Sequence, residues 1–185
     1  MLLAALVLGL FLGHLVAFPA LAALPWVLCV LLGLVGFDLT FRLAALRGVW
    51  RPLAAATLGA VGAALVFVVL LRMALPVAFA TALAFGFYSL AGPLVVARAG
   101  AVLGLVAFLT NFLREDLTML LSPVLGERLR GDGLTAMGGA TSMDTTLYFV
   151  TRHGDPEAGS LALASGLILT VAATLVLPAV LALPL

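Results

Sequence analysis

"GGATSMDTTLYF", Gly138–Phe149, places two adjacent glycines, an aspartate and several hydroxyl groups inside a chain that is otherwise apolar. A helix facing lipid has no use for that composition. Irregular, polar backbone at membrane depth is tolerated only where protein covers it or where it lines a wet cavity. The stretch therefore reads as a broken or re-entrant segment, in which Thr141, Ser142, Thr145 and Thr146 supply hydroxyls around Asp144. The competing reading makes Asp144 a helix cap at the membrane surface.

The rest of the chain supplies the membrane context. Of its 185 residues 65% are hydrophobic and 9% charged, and mean hydropathy is +1.32, whereas soluble domains carry about 25% charged residues. The fold class is all-α: a polytopic membrane helical bundle forming a single transmembrane domain over residues 1–185. Apolar runs near the length needed to cross a bilayer occur at 2–18, 22–39, 53–72, 77–97, 101–122, 134–150 and 160–183, about seven spans. The first, Leu2 to Phe18, lacks a basic leader and reads as a retained helix. A net charge of +1 offers no nucleic-acid surface. The lone Cys29 permits no disulfide framework and reads as a small core hydrophobe. Trp26 and Trp50 read as interfacial anchors.

A second interruption lies upstream in "FGFYSLAGP", Phe85–Pro93, where Gly86, Gly92 and Pro93 break a span and Tyr88 and Ser89 are polar. Paired Gly/Pro-interrupted helices are the sequence pointer to a transport site between repeats. Taken alone, such glycines equally serve close helix packing.

Charges at membrane depth are costly and face a cavity or a partner. Three places incur that cost: Asp38, the cluster "TNFLRED" at Thr110–Asp116, and Asp144. On a helix Asn111, Arg114 and Glu115 share one face, giving either a polar lining or an ion pair that fixes packing. Asp38 either pairs with Arg42 or is buried beside Gly33 and Gly36. His14 reads as a packing histidine or a proton relay, and His153 as a solvated loop residue. Arginine in short loops orients the bundle. Arg42, Arg47 and Arg51 lie inside, and alternation puts Arg98 and Arg152 inside and Arg72, Arg128 and Arg130 outside. The amino terminus is then inside and the carboxyl terminus outside.

At these residues the chain resembles the LysO-type bacterial lysine exporters. The similar motifs are "AFGFYSLAGPLV" (Ala84–Val95), "AFLTNFLREDLTMLLSPVL" (Ala107–Leu125) and "GGATSMDTTL" (Gly138–Leu147), with a weaker match at "LLGLVGFDL". Tyr148 stands where the family tends to have proline. The resemblance covers the second part of a typical member, so a homodimer or a second small membrane protein would supply the remaining helices.

The resemblance implies proton-coupled export of L-lysine and toxic lysine analogues across the bacterial inner membrane, and carries the motif aspartate onto Asp144. The residues expected to handle substrate and protons are Asp144, Asp38, Glu115, Asp116, Arg114 and Asn111, with Tyr88, Ser89, Thr141, Ser142 and Thr145 as polar lining. Asp144 would hold an ammonium group, while helix N-termini or Arg114 would hold the carboxylate. A sheltered carboxylate that binds either a proton or an organic cation meets the requirement of an antiporter. The alternatives are a carrier of another substrate coupled to cations or protons, and a subunit lending helices to a larger transporter. No cofactor, metal site or enzymatic constellation is expected; Ser89 and Ser142 have no histidine partner in reach.

Overall fold

In a computed structural model of the chain, residues 47–184 are described together with Trp26 and Val30. Asp38, His14, Cys29 and the spans expected at 2–18 and 22–39 lie outside the described residues. Trp26 is 75% exposed and Trp50 63%. Thr40–Leu185 forms one compact unit.

This unit is built from helices: α1 Trp50–Leu70, α2 Leu75–Ala82, α3 Tyr88–Ala99, α4 Ala101–Gly138, a 3-10 turn Gly139–Met143, α5 Leu147–His153 and α6 Ala158–Leu181. Helices α1 and α6 are long and apolar enough to cross a membrane. On α1, Pro52, Ala56, Ala60 and Ala64 recur every fourth residue and form its buried stripe, the small-residue pattern that lets helix backbones approach in lipid. The opposite surfaces carry Leu58, Val69, Leu120 and Leu175, each at least 70% exposed. A helix in water would place polar side chains there. The outer surface is that of a membrane protein.

Contacts along the helices fix their directions. The start of α1 meets the far part of α4 through Arg51 and Asp132, 3.6 Å apart. Helix α2 begins where α1 ends, after Arg72 turns the chain with φ 50. The helix stops at Leu83, and α3 then runs antiparallel to the first part of α4. Tyr88 packs on Phe108 and Phe112, Gly92 on Phe108, and Gly100 (φ 90) makes the reversal. Residues 75–99 thus form a hairpin that enters from the end opposite Trp50 and returns to it.

The second interruption mirrors the first. Helix α4 passes through Pro123, where the Ser122 hydroxyl donates to the Thr118 carbonyl at 2.6 Å and also lies 3.1 Å from the Met119 carbonyl that proline leaves without a donor. It kinks at Arg130 (φ 53, ψ −165), and residues 131–138 fold back until the Met137 carbonyl reaches Arg114. After the tip at 139–146, α5 descends to His153, which packs against Gly126. Helix α6 starts against Gly131 and runs to the other end, where the Leu181 carbonyl accepts a hydrogen bond from Arg98. Residues 131–153 form a hairpin entering from the α1 start. The tips meet where the Ala140 amide donates to the Phe85 carbonyl, 2.8 Å.

Both expected interruptions are present, the first at Gly86 alone, because Gly92 and Pro93 continue helix α3; residues 134–150 turn back, in line with the re-entrant reading, and 77–97, expected to cross, turns back as well. The reason is local: each break satisfies its freed carbonyls within a tight turn and on α4, so the chain returns along a neighbouring helix. The span expected at 101–122 likewise extends to the Arg130 kink. The arginine alternation is corrected in turn. Arg152 shares an end with Arg51, Arg128 and Arg130, while Arg72 and Arg98 lie at the other.

Candidate functional site

The site is organised by α4, which passes between the two hairpin tips. Its buried polar residues Asn111, Glu115, Thr118 and Ser122 recur every three or four positions and form one inward stripe.

On one side of α4 lie the ends of the entering arms. The last turn of any helix leaves carbonyls without donors and carries partial negative charge. Asn111 Nδ2 donates to the Thr81 carbonyl of α2 at 2.8 Å, while its Oδ1 accepts the Gly86 amide at 2.8 Å. Arg114 Nε and Nη2 donate to the Met137 and Ala136 carbonyls at 2.9 and 2.8 Å. Both residues border a cavity of about 440 Å³ whose other walls include Ala56, Gly59, Ala60 and Ala63 of α1.

On the other side lie the beginnings of the returning arms, with partial positive charge. There a smaller cavity of about 120 Å³ is lined by Gly86 to Ser89, Glu115, Ala140, Thr141, Met143, Asp144, Thr145 and Thr170. Glu115 is only 6% exposed, and its Oε2 has no hydrogen-bond partner. The Thr145 hydroxyl lies beside its carboxyl group, and Asp144 and Asp116 are within electrostatic reach. Asp144 sits at the exposed rim, its Oδ1 accepting the Thr145 amide at 2.6 Å. The first turn of α3 has no side-chain cap; the Tyr88 amide donates to the Gly86 carbonyl at 2.9 Å, which leaves the Ser89 amide at the cavity.

The chemistry follows from this arrangement. A buried carboxylate oxygen with no donor, a second carboxylate at the rim and a helix amide end across the space suit a ligand bearing both ammonium and carboxylate groups. Arg114 does not pair with Glu115, so the acid is left uncompensated by the adjacent cation.

Of the sequence-derived candidates, Asp144, Glu115, Tyr88, Ser89, Thr141 and Thr145 are brought to one cavity. Asn111 and Arg114 face the other side. Asp116 is half-buried and outside the cavity lining. Ser142 is turned away, bonding the Gly139 and Ala162 carbonyls at 2.7 and 2.9 Å. The sequence reading made Asp144 the sheltered acid; among the described residues that place belongs to Glu115. A residue it missed is Thr170, whose hydroxyl bonds the Gly166 carbonyl. Nothing in the sequence separates Thr170 from Thr174, which makes the same bond one turn on at an exposed position.

The family model described as "Lysine exporter LysO" matches residues 3–181. The Escherichia coli K12 protein named "Lysine exporter LysO" is 38% identical over 104 residues, 55% of this chain and 34% of that protein. A Haemophilus influenzae protein named "Putative lysine exporter" is 30% identical over 84 residues, 45% of this chain and 43% of that protein. The match thus spans well under half the length of either relative. No solved structure matches.

Proposed function

Because the chain belongs to the lysine exporter LysO family, we propose that it exports L-lysine, and lysine analogues of the same charge, from the bacterial cytoplasm in exchange for protons. The observation that carries this reading is the convergence of Glu115 and Asp144 on one small cavity, with Glu115 Oε2 buried and without a protein donor. The lysine ammonium groups neutralise the two acids. The substrate carboxylate faces the uncapped first turn of α3 at the Ser89 amide. After release outward, a proton takes the place of the ammonium on the same carboxylates, which makes the two ligands mutually exclusive.

Arginine supports the orientation. Arg51, Arg128, Arg130 and Arg152 gather at the end from which the Asp144 hairpin enters, against Arg72 and Arg98 at the other. The positive-inside rule makes the former end cytoplasmic. The multi-pass protein then lies in the inner membrane with the end of α6 outside.

The match to less than half of each relative's length favours an assembly in which a second copy or a second small membrane protein supplies further helices. The same fact favours a second reading, in which this chain lends helices to a transporter whose substrate site is completed elsewhere. Counterflow of labelled lysine by the purified chain in liposomes separates the two, because a helix-lending subunit shows none alone.

The decisive test is efflux of labelled lysine from cells lacking their own exporter, with Asp144→Asn and Glu115→Gln at matched expression. Loss of efflux in both is expected; wild-type efflux in either variant removes that acid from the mechanism. Competition by arginine, ornithine and Na⁺ against lysine distinguishes a lysine carrier from one coupled to another cation.

A further inference from the structure

We infer that Asn111 and Arg114 are positioning residues: one helical turn apart on α4, they fasten the two hairpin tips, Asn111 the first and Arg114 the second, and leave substrate contact to the opposite face. The inference departs from the role that sequence reasoning gives Arg114, a donor for the substrate carboxylate.

An asparagine amide offers two N–H donors and a carbonyl acceptor. Both Asn111 donor bonds are made, to the Thr81 and Ala107 carbonyls at 2.8 and 2.9 Å, and its oxygen accepts the Gly86 amide. None of its hydrogens is left for a ligand. Through these bonds it closes the first tip from both sides of the break, joining the last turn of α2 to the amide of Gly86.

Arg114 does the equivalent for the second tip with charge. Two of its three nitrogens bond carbonyls in the last turn of the 131–138 arm. That end carries negative dipole charge, so the bonds are charge-assisted. The tip also packs directly against the guanidinium: a methyl group at Gly139 would lie 3.0 Å from Nη2. The same guanidinium sits over the Phe85 ring, 6.0 Å from its centre, so it touches the first tip as well. Arg114 thus meets both tips beside the Ala140–Phe85 hydrogen bond that joins them.

A consequence follows for transport. The hairpin bearing Asp144 cannot shift against α4 without exchanging the Arg114 bonds, so these bonds set how readily the site opens and closes. They contribute to rate and leave intrinsic substrate affinity nearly untouched. This kinetic consequence rests on the export reading; the fastening of the tips does not.

The experiment uses the full chain with Cys29→Ser and Thr141→Cys, so that a membrane-impermeant maleimide reports exposure of the second tip, in parallel with lysine transport kinetics in the Cys29→Ser chain. Arg114→Gln is expected to raise labelling about fivefold or more by local opening. It is expected to lower kcat about tenfold with KM for lysine within about twofold. Arg114→Lys, which keeps the charge but holds one carbonyl at a time, falls between the two. Asn111→Leu is expected to lower kcat with KM unchanged and to disturb the first tip. A rise in KM with unchanged kcat and unchanged labelling overturns the inference and makes Arg114 a substrate ligand. If Arg114→Gln fails to assemble, the Lys variant decides: labelling and kcat equal to the parent overturn the inference. If the parent moves no lysine while labelling still rises in the Gln variant, the fastening stands and the export reading falls.

Discussion

The two hairpins share a shape and differ in chemistry. Each enters from one end of the bundle, stops near its middle at a glycine of positive φ (Gly86, φ 97; Gly139, φ 65) and returns. The first, residues 75–99, holds no charged residue before Arg98, and its tip buries Ala82, Ala84 and Phe85. It closes its broken backbone with turn bonds, such as Phe87 amide to Ala84 carbonyl at 2.8 Å, and with Asn111. A re-entrant tip therefore needs no acid of its own. Against that, Asp144 in the second tip satisfies only its neighbour Thr145 and closes nothing between elements. The carboxylate of Asp144 is thus no requirement of the second hairpin's fold, which is the strongest structural reason to propose it for ligand handling.

The comparison breaks if polar residues on the two hairpins prove equivalent in transport. Asp144→Asn and the neighbouring Glu115→Gln are expected to reduce lysine efflux by about a hundredfold or more, the scale of losing a group that must carry a proton. Ser89→Ala on the first hairpin lines the same cavity but removes no acid. It is expected to cost less than about threefold, because its backbone amide is retained. Equal losses in the three variants, measured as initial efflux rates at matched expression, would place the chemistry on neither hairpin in particular.

A second pair concerns the tips themselves. A Cβ at Gly139 meets the Phe85 carbonyl and the Arg114 guanidinium, in backbone that only glycine adopts readily. Gly139→Ala is expected to destabilise by about 3 kcal/mol or more. At Gly86 the nearest atoms are the Thr141 methyl at 3.3 Å and the Gly138 carbonyl at 3.4 Å. There strain from φ dominates, and Gly86→Ala is expected to cost about 1–2 kcal/mol. Thermal unfolding in detergent measures both. The reverse order would mean that the first tip is the tighter one.

Ser142 sharpens the contrast from inside the second tip. Its hydroxyl ties the tip to α6 through the Ala162 carbonyl, so Ser142→Ala is expected to cost about 1–2 kcal/mol of stability. Its effect on KM for lysine should be negligible. A raised KM with unchanged stability would return Ser142 to the lining, where sequence reasoning placed it.

How much of this was legible follows from what each residue depends on. The breaks at Gly86 and Gly138–Gly139 were readable because backbone chemistry is local: glycine and hydroxyl clusters mark freed backbone wherever they occur. The direction taken after a break is not local. Nothing in "FGFYSLAGP" says whether the chain crosses or returns; that is decided by which face of α4 offers Tyr88 a place beside Phe108 and Phe112. The end expected at 122 moved for a related reason, since the helix continues through Pro123 with the Ser122 hydroxyl bonded to the Thr118 and Met119 carbonyls. The stripe Asn111–Arg114–Glu115 was visible from spacing. The division of that stripe between two cavities depends on the dipole ends brought to each side, which only the folded hairpins define.

The smallest expected effect tests a position where the chain departs from the family it resembles. Tyr148 stands where proline would, at the second residue of α5. The amide of that position belongs to the first helical turn, where a donor has no helical acceptor, and neighbouring bonds run from Leu147 to Asp144 and from Val150 to Thr146. Proline there removes nothing the fold uses, although it restrains Leu147. The Tyr148 ring is 65% exposed and meets Phe149 edge to face. Tyr148→Pro is therefore expected to change stability by less than about 1 kcal/mol and to leave lysine efflux near the parent value. A loss of several kcal/mol would show that the start of α5 depends on the Tyr148 amide. In that case the second hairpin is held at its returning arm as well as at its tip, and the likeness between the two hairpins ends sooner than their shapes suggest.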